Sequence, residues 1–427
     1  MEEILNDIIN TEREKVLLLG MNRNRASDGG DPQASLTELA GLTETAGGGV
    51  VEAMLINKSQ PDPARYFGKG KWGEIEGVIA ENQIDLVIID DELSVRQQNQ
   101  LDQQLSCRVI DRTALILQIF ADHARTREGR LQVELAQLNY LLPRLTGKGK
   151  ALSRLGGGIG TRGPGESQLE KDRRHIRRRI AALKEETDHI RKQRSVNRER
   201  RQRNLVPVAA LVGYTNTGKS SLLNLLTGAG VAAEDKLFAT LDPVTRRLKL
   251  DEAEVLLTDT VGFIQRLPHA LVSAFRATLE EALYADLLIH VVDSAHSDLE
   301  EQMKTVHLVL EEIGCNEKPV IYAFNKADLL PDPLDMRRYL SDYQPAVLLS
   351  AKTGEGAEQL KKLLAEQLPE PMVARRFRFT QEEAGVLNQF YDYGRVSQVS
   401  YDADGVEGFA VLPKRFAEQY SRYLYED

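Results

Sequence analysis

The segment "GYTNTGKS", Gly213–Ser220, decides the fold of this 427-residue chain. It follows the apolar run "VPVAALVG" (206–213) and opens "KSSLLNLLTG" (219–228), so a predicted strand enters the motif and a predicted helix leaves it. In this G-x-x-x-x-G-K-[ST] pattern, backbone N–H groups and a helix N-terminus form a cradle for phosphates. We predict that Lys219 faces the β- and γ-phosphates of a nucleoside triphosphate and that Ser220 binds Mg²⁺. The motif alone does not select the base.

A second motif, "TDTVG" (258–262), ends the apolar segment "EVLL" (254–257), which is typical of a strand. Asp259 therefore lies at a strand end, where its carboxylate can hold Mg²⁺ through water. The backbone N–H of Gly262 can donate to a γ-phosphate. Together with the first motif, this segment predicts one site for both phosphates and magnesium.

The segment "LFATLDPVTRR" (237–247) lies between these motifs. A threonine here would complete the magnesium shell only while the γ-phosphate is present. Thr240 and Thr245 are both candidates. Because Thr245 leads into the predicted strand "RRLKL" (246–250), we predict that Thr240 is the ligand.

Two later motifs indicate the base. "NKAD" (325–328) closes the strand "VIYAF", and the carboxylate of Asp328 can accept from the N1–H and 2-amino groups of guanine. Adenine would leave that carboxylate unpaired, which is costly. "SAK" (350–352) ends another strand, where the N–H of Ala351 can donate to guanine O6. Four motifs in this order predict a guanine nucleotide.

The predicted site is collected from these four segments. Its catalytic residues are Lys219, Thr240 and Gly262, and its magnesium ligands are Ser220 and Thr240. The residues predicted to bind the nucleotide are Gly213, Tyr214, Thr215, Asn216, Thr217, Gly218, Lys219, Ser220, Phe238, Ala239, Thr240, Leu241, Asp242, Asp259, Thr260, Val261, Gly262, Asn325, Lys326, Ala327, Asp328, Ser350, Ala351 and Lys352.

Upstream, short apolar runs alternate with helix-like segments. "KVLLLG", "VEAMLI", "DLVIID" and "CRVI" are typical of buried parallel strands joined by crossover helices. "YFGKGKWGEI" (66–75) follows the second run. Its glycines and lysines fit either a phosphate site at a helix start or a plain turn between strand and helix.

Residues 121–205 have a helical period instead. Leu131, Leu135, Leu138, Leu142 and Leu145 form one stripe, and Ile176, Ile180, Leu183 and Ile190 form another. Two such stripes predict an antiparallel helical hairpin. Its connection is "GGGIGTRGPGES" (156–167), where glycines permit unusual backbone angles and close approach to a ligand. This segment, with Arg162 inside it and Lys148, Lys150 and Arg154 before it, is either a loop that enters a nucleic acid or a disordered linker.

Charge separates the hairpin from the rest of the chain. Residues 171–203 hold 14 Lys+Arg and 5 Asp+Glu, a local charge of +9 within a chain of net charge −9, so the remainder carries −18. This asymmetry favours contact with a polyanion through one part only, although a solvated arginine-rich face is the alternative. No apolar run approaches the roughly 20 residues of a membrane span. The N-terminal sequence does not resemble a secretion signal. The two distant cysteines, Cys107 and Cys315, favour reduced thiols and a cytoplasmic protein.

The chain resembles the translation-factor-related P-loop GTPases, and most closely the HflX family, over nearly its whole length. The resemblance rests on "GGGIGTRGPGESQLE", "GYTNTGKSSLLNLLTG", "FATLD" and "TDTVGFIQRLP" followed by "HALVSAFRATLEEALYADLLIHVVDSA". It implies an N-terminal α/β domain with a long helical hairpin and then a Ras-like domain. It further implies binding to the large ribosomal subunit and its rRNA, and GTP-dependent dissociation of ribosomes under stress.

The sequence departs from the Ras pattern after Gly262. Phe263 stands where Ras-like enzymes carry a glutamine that orients the attacking water, so we expect slow intrinsic hydrolysis that a ribosome stimulates. Gln265 and Arg266 could orient the water or be structural. Asn216 resembles the asparagine that helps to hold K⁺ in some GTPases of this class, although a turn-stabilising hydrogen bond is the alternative.

The predicted architecture is α/β with four parts. They are an N-terminal domain with a parallel sheet (1–120), the helical hairpin (121–205), a Ras-like P-loop domain (206–370) and a small C-terminal α+β domain (371–427). We expect a monomeric GTPase that uses Mg²⁺. The alternatives are a GTPase of RNA assembly or modification, and a nucleotide-gated protein scaffold.

Overall fold

The computed structural model describes residues 13–22, 31–58, 60–145, 168–203, 206–230, 237–238, 240–250, 254–266, 279–370, 372–402 and 405–425. The glycine-rich segment with Arg162, the three basic residues before it and the predicted site residue Ala239 lie outside the described residues.

The N-terminal sheet has four parallel strands, which confirms the prediction from the apolar runs. They are β1 (Lys15–Asn22), β2 (Gly49–Asn57), β3 (Leu86–Ile89) and β4 (Arg108–Asp111), in the order β2-β1-β3-β4. Their helices are α1 (Pro32–Thr45), α2 (Lys69–Asn82), α3 (Val95–Gln104) and, after β4, α4 (Arg112–His123). Every residue of β3 is buried, as expected of a strand covered on both faces.

A helical hairpin follows, as the two apolar stripes predicted. Helix α5 (Arg127–Arg144) packs against α6 (Gln168–Arg203), where Ile180 and Leu183 are buried. Arg127 of α5 pairs with Glu186 of α6, and Glu134, further along α5, pairs with Arg179, which comes earlier in α6. The helices are therefore antiparallel.

The central sheet has six strands in the order β10-β9-β8-β5-β7-β6, and only β6 runs antiparallel to its neighbour. The strands are β5 (Val208–Val212), β6 (Val244–Lys249), β7 (Glu254–Asp259), β8 (Leu287–Asp293), β9 (Val320–Asn325) and β10 (Ala346–Leu348). Its helices are α7 (Lys219–Thr227), α8 (Leu299–Glu312), α9 (Arg337–Asp342) and α10 (Ala357–Gln367). Because β5, β7, β9 and β10 are parallel, the four sequence motifs meet at one edge of this sheet.

The C-terminal sheet is antiparallel, with the order β12-β13-β11-β14. Its elements are β11 (Met372–Phe379), α11 (Val386–Tyr393), β12 (Arg395–Asp402), β13 (Gly405–Pro413), α12 (Lys414–Gln419) and β14 (Leu424–Tyr425). Phe377, Phe379 and Phe390 are buried in its core. This β-α-β-β-α-β succession is the ferredoxin-like arrangement, which is more specific than the predicted α+β composition.

The N-terminal part packs directly onto the central sheet beside the motifs. Phe120 of α4 and Phe238 meet edge to face, with ring centroids 4.7 Å apart. One hydrophobic cluster joins Leu36 of α1 to Tyr214 and Phe263. The predicted domain boundaries stay predictions, although each sheet lies within one predicted range. Within the described residues, no helix is long and apolar enough to cross a membrane.

Candidate nucleotide site

The loop between β5 and α7 has a backbone that only glycine fits at two positions. Gly213 has φ +154° and Gly218 has φ +89°. A Cβ at Gly213 would lie 2.3 Å from the carbonyl oxygen of Val291, and a Cβ at Gly218 would lie 2.3 Å from Nδ2 of Asn325. These close approaches pull the loop against β8 and β9. Its N–H groups can then line an anion cradle at the start of α7.

Lys219 lies beneath this loop, with 6% of its surface exposed. Its Nζ donates to the carbonyl oxygens of Tyr214 at 2.6 Å and Gly213 at 3.2 Å. Burial lowers the pKa of Lys219 to about 8, although the carboxylate of Asp259 acts in the opposite direction. A buried ammonium that donates to carbonyl groups gains strongly from an anion. This lysine therefore suits the phosphate role that the sequence predicted.

Three oxygen-bearing side chains meet beside Lys219. Ser220 Oγ lies 2.8 Å from Thr240 Oγ1 and donates to Asp259 Oδ2 at 2.6 Å. Asp259 Oδ1 is buried with no hydrogen-bond partner among the described residues. Burial also raises the pKa of Asp259. Hydroxyl and carboxylate oxygens are the ligands that Mg²⁺ takes, so this cluster fits the ion.

The structure separates the two candidate threonines. Thr245 lies within β6, and its Oγ1 is 2.9 Å from Thr258 Oγ1 on β7. Thr240 is the threonine that reaches Ser220. This placement agrees with the reasoning that Thr245 belongs to the sheet.

Gly262 is pressed against the phosphate loop. A Cβ here would lie 2.7 Å from Thr215 Cα and 3.0 Å from Lys219 Nζ. The next residue is bonded to the same loop, because Phe263 N donates to Gly213 O at 3.1 Å and Thr215 N donates to Phe263 O at 2.8 Å. The Phe263 ring is 2% exposed and belongs to the hydrophobic cluster. The ring therefore packs inside this cluster, which also contains Leu36 of the N-terminal domain.

Gln265 and Arg266, which follow in the chain, contact the N-terminal domain. Gln265 N donates to Tyr214 Oη at 2.8 Å, and Gln265 O accepts from Arg112 at 3.3 Å. Arg266 lies 3.9 Å from Asp90 and 4.0 Å from Asp91. These contacts favour the structural alternative for both residues.

The motifs predicted to read the base are linked through Asn325. Its Nδ2 donates to Thr217 O at 2.7 Å, and its Oδ1 accepts from Ala351 N at 2.8 Å. The N–H predicted to donate to guanine O6 thus already has an acceptor, so the two bonds would compete. Ser350 Oγ donates to Asp328 Oδ1 at 2.6 Å, which orients the exposed carboxylate.

Several predicted nucleotide-binding residues have side chains engaged elsewhere. Lys326 pairs with Asp293 at 2.6 Å. Phe238 and Leu241 are buried in the cluster shared with the N-terminal domain. Asp242 bonds to the start of α5, where its Oδ2 accepts from Arg125 N at 2.9 Å and Thr126 N at 2.8 Å. These four side chains thus contact other protein groups in this structure.

Sequence reasoning missed a buried polar network between the domains. Arg112, 2% exposed, pairs with Asp90 at 2.8 Å and with Glu38. Glu38 also accepts a hydrogen bond from Tyr214 Oη, in the phosphate loop. Burial raises the pKa of Tyr214 far above its ordinary value, with the Glu38 carboxylate adding to the effect. No local pattern marks these residues, because their partners are distant in sequence.

Fold and site together define a P-loop GTPase, an enzyme that binds and hydrolyses GTP; nucleotide-associated Mg²⁺ is general in this class. Residues 33–121, 123–201 and 208–326 match family models described as GTP-binding GTPase N-terminal, GTP-binding GTPase Middle Region and 50S ribosome-binding GTPase. The chain belongs to the HflX GTPase family.

Two relatives named GTPase HflX agree with this assignment. A GTPase HflX from Lacrimispora saccharolytica is 47% identical, over 94% of this chain and 94% of its own. GTPase HflX from Escherichia coli K12 is 43% identical, over 87% of each chain. A GTP-binding protein from the archaeon Sulfolobus solfataricus, solved in complex with GDP, is 28% identical and covers 83% of this chain and 98% of its own, with a TM-score of 0.43.

Proposed function

We propose that this GTPase binds the large ribosomal subunit and dissociates ribosomes under stress, using GTP to switch the helical hairpin. The observation that carries the proposal is that the backbone N–H groups of Arg125 and Thr126, just before α5, donate to the carboxylate of Asp242. Asp242 lies two residues after Thr240, so the segment that senses the nucleotide also holds the hairpin.

The coupling runs through covalent and hydrogen-bonded neighbours. With GTP bound, Thr240 would ligate Mg²⁺, and this ligand is released when the γ-phosphate leaves. A shift of Thr240 displaces Asp242, whose carboxylate holds the N-cap residue Thr126 of α5. Helix α5 packs along α6, and the glycine-rich segment connects them in sequence. Loss of the γ-phosphate is thereby transmitted to the segment that would enter rRNA.

The charge of α6 supports RNA as the partner. Residues 171–203 carry a local charge of +9. Arg179 is paired with Glu134 inside the hairpin, whereas Arg177 and Arg178 beside it are exposed. An exposed basic helix attracts phosphates through counterion release, which makes its binding strongly salt-dependent. The model matched by residues 208–326 is also described as ribosome-binding.

At the site, we assign phosphate stabilisation to Lys219 and Gly262, and magnesium to Ser220 and Thr240 with Asp259 acting through water. Mg²⁺ when bound would neutralise charge on the phosphates. Because Phe263 is buried in the core, we expect the group that orients the hydrolytic water to come from the partner. A K⁺ ion held by Asn216 would take the place of an arginine finger. A ribosomal partner also places the protein in the cytoplasm, and we expect a monomer.

The test is a sucrose-gradient assay of subunit separation with GTP and with a non-hydrolysable analogue. Deletion of residues 156–165 should abolish splitting and spare GTP affinity, because the phosphate loop lies beyond it at 213–220. Arg162→Glu should give a milder defect by placing an anion against phosphate. Full splitting by the deletion variant would contradict the proposal and leave the segment a linker.

Binding measurements separate the alternatives. Nucleotide-dependent cosedimentation with large subunits, weakening steeply as salt rises, is expected for the ribosomal partner. Binding to other RNAs but not to large subunits would instead indicate RNA assembly or modification. Salt-independent binding to a protein would indicate a scaffold.

A further inference from the structure

The C-terminal sheet has one covered face and one open face. Phe377, Phe379, Ala410 and Leu412 point into a core completed by Phe390. Because side chains alternate along a strand, the intervening residues lie on the opposite face. On β11 these are Arg376 and Arg378, which are exposed. The polar character of this face therefore follows from the register of the buried one.

The strand register places a phenyl ring among arginines on this open face. Phe409 of β13 lies opposite Arg376 on β11 and opposite Ser397 on β12. Directly opposed residues in antiparallel strands have Cβ atoms about 4.5–5.5 Å apart. Phe409 is half-buried and does not belong to the hydrophobic core of this domain. Phe409 and Arg376 are thus neighbours on the same face of two adjacent strands.

Two further arginines flank this row. Arg378 lies opposite Glu407, and Arg395 lies opposite Val411. Glu407 and Val411 are two residues before and after Phe409 on β13. All three arginines are exposed, and Glu407 is the one acidic side chain at these paired positions. We call the surface formed by Arg376, Arg378, Arg395 and Phe409 the outer sheet face.

We propose that the outer sheet face binds single-stranded RNA. An aromatic side chain on an open four-stranded sheet can stack on an unpaired base, and guanidinium groups can contact its phosphates or stack on it. Ser397 and Ser400 add hydroxyl groups on the adjoining strand. Charge complementarity and the central ring favour a nucleic acid over an apolar protein segment. A duplex has no splayed base to offer this ring, so the ligand is single-stranded.

This site is separate from the basic helix α6 and from the nucleotide site. The test of this site does not require a ribosomal partner, because its probe is a short synthetic RNA. The test compares full-length variants by fluorescence anisotropy with a labelled single strand and with a hairpin duplex. Raised salt suppresses the electrostatic contribution of α6 more than base stacking.

Phe409→Leu keeps an apolar side chain and removes the ring, so we expect about a tenfold loss in affinity for the single strand and none for the duplex. Arg376→Ala should lower the affinity for the single strand to a similar extent. Two controls lie off this face: Arg415→Ala removes an equal charge near Glu370, and Tyr401→Ser removes an exposed aromatic ring opposite Val406. Neither control should change binding.

Photocross-linking of thiouridine-containing RNA, mapped by mass spectrometry, should label peptides from β11 or β13. Equal RNA affinity for the wild-type protein and Phe409→Leu would overturn the proposal. An equal loss in Arg415→Ala would also overturn it, since binding would then follow total charge. If Phe409→Leu loses association with large subunits but not with RNA, the face contacts a protein and the proposal is wrong.

Discussion

Asp242 holds Thr126, the N-cap residue of α5. The backbone N–H of Thr126 donates to Asp242 Oδ2 at 2.8 Å, and the Thr126 hydroxyl donates to Oδ1 of the same carboxylate. The Thr126 hydroxyl in turn accepts from Gly129 N at 3.0 Å. A carboxylate two residues after Thr240 thus holds the residue that caps α5, at a separation of 116 positions in sequence.

The first prediction tests the contact between Asp242 and Thr126. Asp242→Ala should leave GTP affinity within about twofold, because the carboxylate faces α5, and should uncouple the hairpin from the nucleotide. The variant loses the hydrogen bonds that hold the N-cap residue Thr126, whereas the bond from Gly129 N to Thr126 Oγ1 remains. Hydrogen exchange of α5 should therefore differ between GTP-analogue and GDP states in the wild-type protein but not in the variant. A wild-type difference that persists in Asp242→Ala would contradict the coupling.

The second prediction uses the two threonines as a matched pair. Thr240→Ala removes a proposed magnesium ligand, so GTP hydrolysis at saturating nucleotide should fall at least tenfold. Thr245→Ala breaks only the contact with Thr258 between β6 and β7 and should retain most of the activity. Single-turnover hydrolysis over a magnesium titration is the measurement. Equal activity of the two variants would remove Thr240 from the magnesium site.

The third prediction concerns the base. Asp328→Asn replaces an acceptor oxygen with an amide donor facing the guanine 2-amino group. GTP affinity should fall by at least tenfold, on the order of 1.4 kcal/mol. Xanthine carries a carbonyl at that position, so xanthosine triphosphate should bind the variant better than GTP does. Unchanged titrations with GTP and GDP would show that Asp328 does not read the base.

Sequence patterns predicted the parts of this molecule that depend on neighbours in the chain. The motif at 213–220 and the parallel strands are recognisable because strand, turn and helix signals follow one another directly. Thr240 could be preferred to Thr245 for the same reason, since the start of a strand is a local signal.

The remainder depends on contacts between distant segments. The pairing of Arg112 with Glu38, and of Glu38 with Tyr214, arises only when two domains pack together. The bond from Ala351 N to Asn325 could not be foreseen either, because it joins two strand ends. Similarly, the outer sheet face follows from strand order and register, which composition does not determine.

The fourth prediction concerns acid stability. His290 of β8 is 1% exposed, and burial lowers its pKa to about 3. The unfolded chain takes up this proton below about pH 6.5, whereas the folded chain does not until far lower pH. Stability is therefore lost as pH falls, by about 2 kcal/mol at about pH 5. Between neutral pH and pH 5, the free energy of unfolding of His290→Leu, measured in urea, should fall by about 2 kcal/mol less than that of the wild-type protein. Equal losses would show that His290 does not contribute to this pH dependence.

The last prediction concerns Phe263, which occupies the position of a water-orienting glutamine in Ras-like enzymes. Restoring the polar side chain should not restore catalysis, because the ring points into the cluster that joins the two domains. Phe263→Gln would bury an amide there and destabilise the protein by about 3 kcal/mol. Basal GTP hydrolysis should stay slow or fall, whereas Phe263→Leu should keep both the fold and the basal rate. Thermal unfolding and single-turnover hydrolysis without a partner are the two measurements. A faster basal rate in Phe263→Gln would mean that this side chain can reach the γ-phosphate, and the requirement for a partner-supplied group would be wrong.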